Sequence, residues 1–149
     1  MDRFFRGFVA GVVGGVIMNI WSVVSVNLLH LSKFHYLDWA AVMTFGYPSG
    51  NILESLMSLA THLVWTGFLG IVAAYFLSLT TSKQYLLKGI LIGFTLFFII
   101  NALPVLFHTP YLHNTTFGTS VSNAIGSIVW GLGVAWTLRY LDTTSNVQT

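Results

Sequence analysis

Four apolar runs, at 8–29, 52–79, 86–107 and 117–138, dominate this chain. Each meets the requirement of about 20 residues for crossing a hydrocarbon core of roughly 30 Å. Charged residues make up only 7% of the chain and the mean hydropathy is +0.78. Soluble domains carry roughly a quarter charged residues, so this chain belongs in lipid. Backbone N–H and C=O groups there must be bonded internally, and the runs lack the alternation that barrel strands require. The expected fold is all-α, an integral membrane four-helix bundle. Its helices are expected over about 7–29, 52–79, 86–108 and 117–140, in a single transmembrane domain spanning about 1–141, with a polar cytoplasmic tail at 142–149. The second run is the longest and should tilt or leave its first turn among the headgroups.

The first run exceeds the h-region of a cleavable signal and no small-x-small pattern follows it. With no cysteine, disulfides, thiolate metal sites and cysteine redox chemistry are excluded. The sequence pI near 9.1 rests on few charges, without the basic cluster of a nucleic-acid footprint, so no nucleic-acid partner is expected. Arg3 and Arg6 precede the first helix, Lys83 and Lys88 flank the second loop, and Arg139 ends the fourth. Of the six Lys and Arg residues only Lys33 lies on the opposite side. Positive residues collect on the cytoplasmic side, so both termini are expected there, in a bacterial cytoplasmic membrane with the bilayer itself as first partner.

The second loop, at 80–84, is short enough to predict an antiparallel hairpin of the helices it joins. The first loop is longer. Its apolar stretch at about 37–46 is too short to span and reads as an interfacial helix, with Asp38 placed to cap it, Trp39 suited to an interfacial level and Gly46-Tyr47-Pro48 ending it. A weak repeat also runs through the chain. Arg6-Gly7-x3-Gly11-x7-Asn19 matches Lys88-Gly89-x3-Gly93-x7-Asn101, and Ser55-x2-Ser58-x5-Val64-Trp65-x9-Tyr75 matches Ser120-x2-Asn123-x5-Val129-Trp130-x9-Tyr140. Two matches in the same order point to a duplicated helical hairpin, or to coincidence in a small apolar alphabet.

Small residues and polar residues divide the spans between them. Gly7, Gly11, Gly14 and Gly15, then Gly67, Gly70, Ala73 and Ala74, Gly89 and Gly93, and Gly131 and Gly133 fall in the half assigned to the cytoplasm. Small residues let helix backbones approach in lipid, so packing should be tightest there. Gly118, Ser122 and Gly126 are the main exception, in the outer half. Asn19, Ser22, Ser58, His62, Asn101, Asn123 and Ser127 fall in or toward that outer half, and Pro104 can kink the third span. Polar groups at membrane depth face other helices or a wet cavity. The set is read either as a polar pocket open to the outside or as ordinary interhelical hydrogen bonding.

Glu54 fits a capping box with Asn51 as N-cap. It also heads a line with Ser58 and His62, the histidine lying about 12 Å deeper at helical rise, which would suit proton transfer or a polar ligand. His108 and His113, near the rim with His30, His35 and Asp38, are candidate metal groups. No H-x3-H or H-E-x-x-H spacing supports them, a bis-histidine haem is less plausible still, and no cofactor is expected. Phosphate-loop and nucleophile-elbow motifs are absent.

The glycine-rich first helix leading from Gly14-Gly15 to Trp21-Ser22, the loop tryptophan Trp39, and Asn101-x2-Pro104 at the end of the third span carry a resemblance to the YqhR-like proteins. These are small four-helix membrane proteins of Gram-positive spore formers. The resemblance implies class and compartment, with no activity to carry over, and this chain has two residues between Asn and Pro where the family has none. The expected function is non-enzymatic, acting in assembly or partner binding as a homo-oligomer or with another membrane protein. The alternative is a small transporter or ligand-binding protein with an outward polar pocket, and the third reading an outer-face metal-dependent enzyme.

Overall fold

The computed structural model describes residues 2–80 and 84–145. The chain is a multi-pass, all-α membrane bundle. Its helices are α1 (Arg3–Asn27), α2 (Tyr36–Phe45), α3 (Ile52–Ser78), α4 (Tyr85–Leu106) and α5 (Phe117–Ser145). All but α2 are long and apolar enough to cross a membrane. α1 starts a turn earlier than expected because Asp2 caps it, accepting a hydrogen bond from the Phe5 amide at 2.9 Å. α5 runs beyond the expected end at 140. It carries Asp142, expected in the tail, onto the helix, where its carboxylate meets Arg6 at 2.7 Å. Lys83 and residues 146–149 lie outside the described residues.

The Arg6–Asp142 contact puts the start of α1 and the end of α5 at one end of the bundle, here the termini end. The other is the loop end, where α2 meets the turn after α4 through Trp39, Val42 and Leu112. α1 lies in the middle, with α3 on one side and α5 on the other, and α4 packs on α5. α3 and α4 run antiparallel through their short connection yet barely touch. A short loop sets direction, but in lipid it supplies no packing. Close approach depends on small residues, and those of α3 and α4 face other helices.

Gly7 and Gly11 lie against Gly67, Gly70 and Ile71 of α3, and Gly89 and Gly93 against Gly131 and Ser127 of α5. A methyl group at Gly11 or Gly93 would run into backbone of the facing helix. Gly14 points the other way, onto Trp130 and Val134 of α5, and the Trp130 indole donates to the Gly11 carbonyl at 3.2 Å. Ala10, Met18, Ala73, Ala74, Leu77, Val134 and Leu138 fill the core around this crossing.

At the loop end, Asp38 accepts from the His35 amide at 2.8 Å and Gly46, at φ 84°, ends α2. α2 packs against α3 rather than lying apart. Trp39, expected at an interfacial level, is buried with Val42 and Leu112, with Phe34 and Ile100 against them. Its large apolar ring finds protein neighbours there.

Gly11→Leu or Gly93→Leu should therefore disrupt the bundle itself, costing about 3 kcal/mol or more through overpacking against backbone. Gly50→Ala, where the nearest atom is a Glu54 carboxylate oxygen at 3.7 Å, should change stability by less than about 0.5 kcal/mol. Unfolding in detergent, followed by circular dichroism, checks both.

Candidate functional site

The polar residues of the loop-end half gather around a side chain that the sequence reading did not single out. Tyr36, the first residue of α2, is buried among the spans. Its amide donates to Ser22 Oγ at 3.1 Å. Its hydroxyl shares a long bond between the carbonyls of Asn123 at 3.3 Å and Ser122 at 3.5 Å. Its ring stacks on His62, with centroids 5.9 Å apart and planes 12° from parallel. A phenol is protonated at neutral pH, so the Tyr36 hydroxyl is the donor in this shared bond.

α5 makes room for this insertion with its row of small residues. Gly118 admits the Leu31 carbonyl, and Gly126 admits the Tyr36 hydroxyl. Between them Ser122 accepts from the Trp21 indole through its carbonyl at 3.0 Å and pairs with Ser25 at 2.5 Å. The same row, Gly118-x3-Ser122-x3-Gly126, was the sequence signal that could have located a close approach in this half.

The candidate residues separate by partner. Ser22 and Asn123 meet at Tyr36. Asn123 also donates to Asn101 Oδ1 at 3.2 Å, joining α5 to α4, while the Asn101 amide donates to the Phe97 carbonyl at 3.0 Å. Asn19 turns back on its own helix, donating to Gly15 at 2.8 Å. Ser127 presents its carbonyl to Gly93. Ser58 and His62, one turn apart on α3, remain: Ser58 Oγ and His62 Nε2 are buried without a hydrogen-bond partner among the described residues. Buried polar atoms are rarely left so, which makes this pair chemically the least satisfied part of the cluster.

Glu54 caps α3. Asn51 Oδ1 accepts from the Glu54 amide at 2.9 Å, as the spacing predicts. The Glu54 carboxylate reaches one residue further back than a capping box does, to the Gly50 amide at 2.8 Å, and accepts from the Tyr47 hydroxyl at 3.4 Å.

Most of the rim histidines serve the backbone. His108, at φ 50°, closes α4 in a Schellman arrangement: its amide reaches the Val105 carbonyl at 3.4 Å and the Thr109 amide the Pro104 carbonyl at 2.9 Å. His30 takes the same left-handed region just past α1, and His35 is the N-cap of α2. His113 Nδ1 lies 3.0 Å from the Thr109 carbonyl, so that nitrogen is the donor and Nε2 accepts from Asn114 at 2.9 Å. The His108 and His113 rings sit 6.3 Å apart. Among the described residues, no three His, Asp or Glu side chains converge in a way that could hold a metal ion.

No protein-family model matches this chain, and comparisons with curated proteins and with solved structures find no match either.

Tyr36→Phe should destabilise the protein by about 1 kcal/mol through loss of the shared hydrogen bond. Gly126→Val should cost more, because the ring itself must leave. Thermal unfolding of the two variants in detergent orders them; a Gly126→Val protein as stable as the parent would show that the insertion contributes nothing.

Proposed function

We propose that this is a multi-pass protein of a bacterial cytoplasmic membrane, with its termini end in the cytoplasm, that acts without catalysis by binding another membrane-embedded partner. Support for the orientation comes from Arg3, Arg6 and Arg139, which share the termini end, and from the general excess of positive residues on the cytoplasmic side. The observation that carries the association reading is the open seam between α3 and α4. The glycine rows are engaged inside the monomer, so they are not the docking surface. α4 rests mainly on α5, and exposed aromatic residues such as Trp65 and Phe98 lie on the two helices flanking the seam.

The duplication belongs to the same proposal. Gly7 and Gly11 hold α1 to α3, and their counterparts Gly89 and Gly93 hold α4 to α5. A two-fold relation would also pair α3 with α4 as α5 pairs with α1. That pairing is far weaker than its counterpart, and Trp65 is exposed where its counterpart Trp130 is buried. A helix from a second copy, or from another membrane protein, would occupy the vacant side. Kinship with the YqhR-like proteins is proposed on the residues quoted above and adds no activity.

The chain has no cysteine, so single introduced cysteines carrying a photo-crosslinker give clean positions. Crosslinkers at Trp65 and Phe98 should yield dimers or heteromeric adducts in native membranes, while one at the exposed Ile20 of α1 should not. Monomer alone from all three positions overturns the association reading.

A second reading is favoured by Ser58 and His62, which have no hydrogen-bond partner among the described residues: a small polar ligand or a proton held beneath Tyr36, where Ser22 and Asn123 meet the same side chain. Cysteines at Ser58 and His62 should then react with a membrane-impermeant thiol reagent added outside, faster when Tyr36→Ala removes the ring above them. Full protection in both backgrounds sinks this reading.

A further inference from the structure

At the termini end, away from every residue considered so far as a ligand site, the helices leave two adjoining cavities. One, of about 260 Å³, is lined by Arg3, Arg6, Ser78, Thr80, Tyr85 and Asp142 among others. The second, of about 530 Å³, shares Tyr85 and Asp142 with it and adds Arg139. Three arginines therefore face this space against one carboxylate. Arg6 is held in place by Asp142 at 2.7 Å. Arg3 and Arg139 make no ion pair among the described residues, and the Tyr85 hydroxyl makes no hydrogen bond among them. Two helices start here and two end here, so their dipoles offset one another and the arginines decide the local sign.

We propose that these cavities form a binding site for a phosphate-bearing anion, with Arg3 and Arg139 as its principal charges and the Tyr85 hydroxyl as a further donor. Guanidinium groups match phosphate oxygens in both charge and geometry. A phospholipid headgroup and free phosphate present the same chemistry. The surroundings favour the lipid: Phe4, Phe5, Leu86, Leu87 and Tyr140 are all exposed at this level, where acyl chains would lie. Basic pockets between spans at a membrane surface hold anionic headgroups in this way. The site is independent of the association reading and of the Tyr36 cluster, since it shares no residue with either.

Native mass spectrometry of the purified full chain in detergent, titrated with phosphatidylglycerol or phosphatidylcholine, tests the proposal. A separate arm adds millimolar inorganic phosphate alone and reads the thermal midpoint. Retention of phosphatidylglycerol should exceed that of phosphatidylcholine by about tenfold, given two unpaired arginines at a surface. The double variant Arg3→Gln, Arg139→Gln should abolish the preference, and Arg3→Lys, Arg139→Lys should keep most of it. Stabilisation by phosphate to the same degree would assign the site to the free anion, still within the proposal. Equal retention of the two lipids by the parent chain, with no effect of phosphate, overturns it whatever the variants do.

Discussion

Close contact between helix backbones is the interaction on which the rest of this bundle depends. Inside a bilayer, apolar side chains gain little by leaving lipid for protein, so helices are held by packing and by interhelical hydrogen bonds. Gly7, Gly11 and Gly14 let α1 approach α3 on one side and α5 on the other. That makes α1 the central element, and its contacts place α3 and α5 on opposite sides. Gly89 and Gly93 then attach α4 to α5. The order of helices across the bundle follows from where small residues face, and it overrides the order in which short loops connect them.

The loop-end half works differently. Its packing relies on an insertion: Tyr36 enters from α2, and its amide, ring and hydroxyl bind three separate elements. α5 admits it through Gly126, and Ser122 ties the same region to α1 through Trp21 and Ser25. Ser22, Asn123 and, through Asn123, Asn101 are thereby drawn into one hydrogen-bonded network, while Ser58 and His62 find no partner among the described residues. Those two atoms keep the ligand reading alive, because a buried polar group without a partner costs free energy.

The histidines show how chemistry and backbone geometry compete for one residue type. Five histidines in a chain so poor in charge invite a metal or proton pathway. His108 instead takes the left-handed position that stops α4, His30 takes the same conformation in the loop past α1, His35 opens α2, and both ring nitrogens of His113 are engaged in its own turn. His62 is the histidine within a span, and its Nε2 has no hydrogen-bond partner among the described residues.

Membrane class, the four spans, the Asn51 cap and the Gly46 stop were legible in the sequence, because each depends on local composition or on a few adjacent residues. The further half of the expected capping box was not: the Glu54 carboxylate takes the Gly50 amide instead of that of Asn51. The pairing of α3 with α1 rather than α4, the burial of Trp39 and the entry of Tyr36 were not. They depend on which face each small residue turns toward, and a helix of nearly uniform hydropathy carries no apolar stripe to show that. The sequence by itself determined that this chain crosses a membrane on helices and where glycine allows close approach. Only the tertiary structure decided which helices use that permission, because in lipid the choice rests on shape complementarity between distant segments.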